Sequence, residues 1–218
     1  MIRGLALAGV TGAGKSSVFA ALARRFTADP GCSVCILRNA LLQNGVLAAP
    51  APRAEAVRYL GQRVAALAGV ASLAAPPAAG GATAPRLVIL CESLMLNLLA
   101  ELGLELDDEF EALDRARAAA GIAIVHLRID APEVRERSVE STRRYRGPGW
   151  GRYLDALGPT PAAQEAVFEL RRQAIARSFA RCLPPKIEIV TSDMAWDDHV
   201  SRLAAYLFAP NAAPPQGA

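Results

Sequence analysis

The chain has 218 residues, of which 52% are hydrophobic and 21% charged, enough for one globular unit with a sizeable core. The net charge of +3 suits a phosphorylated ligand but lacks the strong basic excess of a nucleic-acid binder. No continuous apolar run reaches the roughly 18 residues needed to cross a bilayer, since the uncharged stretch 64–85 is broken by Ser, Thr, Gly and Pro, and the apolar stretch 5–10 is too short for a signal-peptide core. These features lead us to expect a soluble, cytoplasmic protein with neither membrane nor nucleic-acid partners.

Apolar runs at 2–8, 33–38, 87–91, 122–128 and 187–191 predict five strands. Most are continuous rather than alternating, as in strands covered on both faces of a parallel sheet. Helical patterns lie between and after them, at 16–26, 55–67, 94–102, 109–119, 132–141, 161–182 and 196–208. Pro161 suits a helix start, and Ser192 or Asp193 suits a cap for the last helix. This alternation predicts an open, mainly parallel five-stranded α/β sheet flanked by helices. We expect one domain over 1–208 and a disordered tail, "APNAAPPQGA", over 209–218.

Two stretches interrupt the pattern. "AAPPAAGGATAP" (74–85) reads as a flexible surface connection. "RRYRGPGWGRYL" (143–154) mixes arginines with three glycines and a proline, and reads as a mobile basic loop that could serve as a lid. Cys32 and Cys35 form a C-x-x-C at the start of an apolar strand. No helix N-terminus is there to activate a thiol, and no second ligand pair would complete a zinc site. All four cysteines are expected to be buried structural thiols. His126, inside a strand, is expected in the core, and His199, on the last helix, in solvent. "DDEF" at 107–110 reads as a helix N-terminus rather than a metal site.

The most specific signal is "GVTGAGKSS", residues 9–17, an ungapped G-x-x-x-x-G-K-S between a strand and a helix. Its glycines let the backbone wrap a phosphate with N–H groups facing inward, and the helix dipole adds positive potential. Gly9, Thr11, Gly12, Ala13, Gly14, Lys15, Ser16 and Ser17 are the candidate nucleotide-binding set. Lys15 is expected to reach the β- and γ-phosphates, and the Ser16 hydroxyl to bind Mg²⁺. No Asn-Lys-x-Asp string is present, so nothing marks a GTPase. The sequence does not separate ATP from GTP.

The third strand closes on Glu92. In an open α/β sheet, ligands gather at the carboxyl ends of strands, where the phosphate loop also opens. Glu92 could hold Mg²⁺, take the proton of an acceptor hydroxyl, or cap the next helix. Arg143, Arg144 and Arg146 stand where a helix gives way to the Gly-Pro-Gly stretch, placed to close on a triphosphate. Arg135 and Arg137 precede them on a helix and could simply pair with Glu133 and Glu136. Trp150 could stack on a base or pack the loop.

Together these motifs resemble the P-loop nucleoside and nucleotide kinases, and among them the thymidylate kinase and deoxynucleoside kinase group. The order of elements matches over about 1–208. The resemblance implies ATP and Mg²⁺, a small-molecule acceptor such as a nucleoside or nucleoside monophosphate, and catalytic roles for Lys15, Glu92, Arg144 and Arg146, with Arg143 on the nucleotide. It implies an acid at Glu92 acting as base or metal organiser. It places the adenine side at 191–194. In that group an Arg follows the acid, whereas here Ser93 does, which points toward an unusual acceptor. Arg38 and Arg58 are the acceptor-side candidates, with Arg53 and Arg63 nearby. A homodimer is compatible with all this. Two other functions remain open: a metabolite- or antibiotic-modifying kinase on the same scaffold, and a nucleotide-binding regulatory protein with little turnover.

Overall fold

The computed structural model describes residues 2–38, 51–73, 86–92 and 94–209. The expected connection at 74–85 and the tail from residue 210 lie outside the described residues, as does Ser93. Five strands form one sheet: β1 (Gly4–Ala8), β2 (Cys32–Arg38), β3 (Arg86–Glu92), β4 (Ile122–Arg128) and β5 (Lys186–Val190). All are parallel, in the order β2-β3-β1-β4-β5. Eight α-helices are described: α1 (Lys15–Thr27), α2 (Pro52–Leu73), α3 (Met95–Leu102), α4 (Asp108–Ala119), α5 (Ser141–Tyr145), α6 (Pro148–Leu157), α7 (Pro161–Arg181) and α8 (Trp196–Phe208).

Helices cover both faces of the sheet. Side chains alternate across it, so Leu5, Leu7, Val88, Leu90, Val125 and Leu127 join one buried cluster with Val18, Phe19, Leu22 and Phe26 of α1 and Val200 and Leu203 of α8. Ala6, Ala8, Ile89, Cys91, Ile122 and Ile124 face the other, against Leu60 and Leu67 of α2, Leu96 and Leu99 of α3, and Phe110 of α4. Two-faced burial explains the continuous apolar runs. Strands β2 and β5, at the two ends of the strand order, are the exceptions: Ser33, Ile36 and Val190 are exposed, and Cys32 and Cys35 are only half-buried. The expectation of four buried thiols thus holds for Cys91 and Cys182, whose pKa values burial pushes up to about 12 and about 11.

Register places the chemistry. Leu7 pairs with Glu92 across β1 and β3, and Ala8 pairs with His126 across β1 and β4. The loop that leaves β1 at Gly9 therefore opens beside Glu92.

Residues 143–154 differ from the expected mobile loop. Gly147 takes an extended conformation and Pro148 opens α6, whose Leu154 is fully buried. Tyr153 and Leu157 also pack against the main cluster, a helical stripe that Gly149 and Gly151 disguise in the sequence. The expected helix 132–141 is instead a 3₁₀ turn (Ala131–Glu133) followed by a π-helical stretch (Arg135–Glu140). Asp107 caps α4 by accepting from the Phe110 N–H, as its position suggested. His126 is buried and its Nδ1 lies 2.8 Å from Glu188. His199 is buried too, contrary to expectation, held 2.9 Å from Asp193 and edge-on to Trp196.

Beneath α4, Arg117 and Asp114 form a buried ion pair, and Asp114 also accepts from the Leu183 N–H at 2.6 Å. Replacing Asp114 with alanine strands the guanidinium in a buried site without its carboxylate. We expect Asp114→Ala to lose about 3–5 kcal/mol of stability in urea unfolding; a loss well below about 1 kcal/mol would show that Arg117 relaxes to solvent.

Candidate active site

The phosphate loop is held in shape by what surrounds it. Gly9, Gly12 and Gly14 have φ of 153°, 85° and 84°, a region that side chains resist. A Cβ on Gly12 would sit 2.4 Å from the Arg137 carbonyl oxygen, and one on Gly14 would sit 2.4 Å from the Trp196 ring. Beneath the loop, the buried Asn97 amide donates to the Gly9 carbonyl at 2.6 Å and accepts from the Gly9 N–H at 3.3 Å. Above it, Ser138 Oγ of the π-helical stretch donates to the Thr11 carbonyl at 2.6 Å, and Thr191 Oγ1 donates to the Ala13 carbonyl at 3.1 Å.

Lys15 Nζ donates to the Gly9 and Val10 carbonyls at 2.7 and 3.0 Å. Burial lowers its pKa to about 8, against the opposing pull of Glu101, with Arg146 lowering it further and Glu92 raising it. Ser16 Oγ donates to Glu92 Oε1 at 2.7 Å. A hydroxyl and a carboxylate in contact are hard oxygen donors of the kind Mg²⁺ takes. Among the described residues, no group of three or more His, Cys, Asp or Glu side chains could hold a metal ion. Such a pair, completed by phosphate and water, fits Mg²⁺ better than a metal caged by protein alone.

A cavity of about 690 Å³ opens above the loop. Its walls include Thr11, Gly12, Gly14, Lys15, Ser16, Ser17, Glu92 and Arg146. The Arg146 guanidinium lies 4.3 Å over the Trp150 ring, its pKa lowered by burial and raised by Glu92. Gly9 and Ala13 do not line the cavity; Ala13 is buried in the core instead. Arg143 turns away to Asp155 at 2.8 Å, and Arg144 lies 3.8 Å from Glu136; neither lines the cavity. Arg58 pairs with Glu55, and Arg53 with Asp107 and Glu109, on exposed surfaces of α2, likewise outside the cavity. Arg38 ends β2, paired in register with Glu92, but its side chain lies outside the described residues.

Several cavity residues were given no site role from sequence. Arg137, on the π-helical stretch, is mostly buried, pairs with Glu133 at 3.7 Å as expected, donates to the Thr191 carbonyl at 2.7 Å, and also lines the cavity. Asn97, Glu101, Tyr153, Arg171 and Trp196 line it as well. Met194, at the expected adenine side, lines it with a left-handed φ of 52°. For Asn97 a signal existed: an amide inside the apolar run 94–100, five residues after Glu92.

No protein-family profile matches the chain, and no curated protein does. Solved structures do match. Over 94% of this chain and 98% of theirs, the fold aligns with a deoxyadenosine kinase from M. mycoides bound to the products dCMP and a flexible dCDP, at 12% identity and a TM-score of 0.55. It aligns with the YorR protein of Bacillus subtilis in complex with phosphorylated GDP at 11% identity, 95% and 99% coverage and a TM-score of 0.54. It also aligns with thymidylate kinase from Candida albicans at 10% identity, 94% and 91% coverage and a TM-score of 0.52. The chain thus has the fold of the P-loop nucleotide kinases.

Two outcomes follow from this geometry. Asn97→Ala leaves a Gly9 N–H buried without its partner, and is expected to cost about 1–3 kcal/mol of stability and to weaken nucleotide binding; unchanged unfolding and calorimetric binding would show that the amide is dispensable. A bound triphosphate favours charged Lys15 and reverses the lowering of its pKa to about 8. At about pH 8.5, where the free lysine is partly neutral, ATP binding is then expected to take up protons. Calorimetry in two buffers of different ionisation enthalpy measures this, and Lys15→Met abolishes it. Proton release, or no exchange, would sink it.

Proposed function

We propose that the protein is an ATP- and Mg²⁺-dependent phosphotransferase acting on a small molecule, in the first instance a nucleoside or nucleoside monophosphate. The observation that carries this reading is the convergence of Lys15, the hydrogen-bonded Ser16–Glu92 pair and Arg146 on one cavity at the carboxyl ends of β1 and β3. The kinase folds to which the chain is similar support it.

In this reading the loop N–H groups and Lys15 bind the β- and γ-phosphates, and Ser16 and Glu92 hold Mg²⁺. Mg²⁺, when bound, neutralises charge on the transferring group. Arg146 and Arg137 surround the γ-phosphoryl with positive charge, and α6 with Trp150 limits access of water. Met194 and Trp196 offer apolar surface to the base of ATP. Arg143 and Arg144 would need to leave Asp155 and Glu136 to take part.

Ser93, where the kinase group that the sequence resembles carries Arg, favours a metabolite- or antibiotic-modifying kinase with the same chemistry. One assay separates the possibilities: ADP release in the presence of nucleosides, nucleoside monophosphates and unrelated hydroxyl compounds. We expect Lys15→Ala and Glu92→Gln each to lower acceptor-stimulated turnover at least about a hundredfold with the fold retained. Full activity in Glu92→Gln would overturn the role given to Glu92. Tight ATP binding without acceptor-stimulated ADP release from wild type would favour a regulatory binder.

A further inference from the structure

The cavity holds a second carboxylate. Glu101 sits one residue from the end of α3 and lines the same cavity as Lys15 and Glu92. Among the described residues nothing hydrogen-bonds to its carboxylate. Lys15, Ser16 and Arg146, the groups placed around a bound phosphate, line that cavity with it.

The two acids sit in different settings. Glu92 is engaged by the Ser16 hydroxyl, the side chain placed to ligate a metal. Glu101 shares the cavity wall with Arg171 of α7, Tyr153 of α6 and Lys15 of α1. Arg171 donates to the Tyr153 hydroxyl, so the arginine and the phenol form a fixed polar wall beside the carboxylate. Where two titratable groups share a site but not an environment, their roles divide accordingly. We propose that Glu101, rather than Glu92, is the general base that takes the proton from the acceptor hydroxyl, leaving Glu92 as metal organiser. This rests on the phosphotransferase reading above.

The step balances simply. The acceptor O–H proton passes to the Glu101 carboxylate as the acceptor oxygen bonds to the γ-phosphorus. The bond from that phosphorus to the bridging β–γ oxygen breaks, ADP leaves with the electron pair, and Glu101 later returns its proton to solvent. Burial raises the Glu101 pKa above the ordinary carboxylate range, with Arg171 and Lys15 pulling it back. A base poised closer to neutrality transfers protons more effectively at physiological pH. Turnover is then expected to fall as pH drops through that raised value, since only the ionised form accepts a proton.

The test uses wild type, Glu101→Gln, Glu101→Ala and Glu92→Gln with MgATP and the acceptor panel. Under the proposal, Glu101→Gln binds MgATP as tightly as wild type. It loses acceptor-stimulated kcat at least about a hundredfold, and the acid limb of its pH profile disappears. Added formate restores part of the rate to Glu101→Ala, which a merely structural role would not allow, while Glu92→Gln loses its Mg²⁺ dependence. Glu101→Gln with undiminished kcat and an intact acid limb overturns the assignment. So does loss of MgATP binding in Glu101→Gln, or absence of formate rescue. If wild type binds no MgATP, or binds it and phosphorylates nothing in the panel, the phosphotransferase reading fails and the base assignment falls with it.

Discussion

Everything at this site depends on a loop backbone that side chains disfavour. Gly9, Gly12 and Gly14 hold positive φ, and the protein keeps them there by building walls against them. Leu127 of β4, Arg137 of the π-helical stretch and Trp196 of α8 each occupy the space a Cβ would need. The Asn97 amide, from the helix after β3, clamps Gly9 from beneath. Segments distant in sequence thus converge on one turn, and the nucleotide-binding shape is a product of the whole sheet.

The sheet was legible because its signal is redundant. Each strand is a short apolar run, and burial on two faces writes that pattern repeatedly along β1, β3 and β4. The strand, loop and helix around residues 9–17 were legible because that spacing has few other uses. Glu92 could be read because a charge closing a buried run needs a partner, and register supplies Ser16 as a neighbour. Helix α6 was missed because Gly149 and Gly151 lower local propensity, while Tyr153, Leu154 and Leu157 recover it through packing that composition does not display.

Side-chain direction was the least legible layer. Arg143, Arg144 and Arg146 look equivalent in sequence, yet only Arg146 meets the cavity, because α5 ends at Tyr145 and Arg146 turns extended. Arg137 does pair with Glu133 at 3.7 Å, as its spacing suggested, yet it also lines the cavity. A π-helical turn adds a residue to the helical ladder and rotates everything beyond it, a shift no pattern of apolar residues encodes. Glu101 carried no signal at all, since one acid at the end of an apolar helix reads as its solvent edge.

That π-helical turn has a consequence for how such chains are compared. The stretch leading into α6 contains two Arg-x-Arg pairs, at 135–137 and at 144–146, and each contributes one arginine to the cavity. An aligner that matches a two-arginine lid to either pair will find one correct partner and one wrong one. It can also absorb the extra residue as a gap and shift the pairing by one. Relatives of this protein are therefore better traced by what touches the phosphate loop, Arg137 and Ser138 on one side and Thr191 on the other, than by counting arginines along the chain.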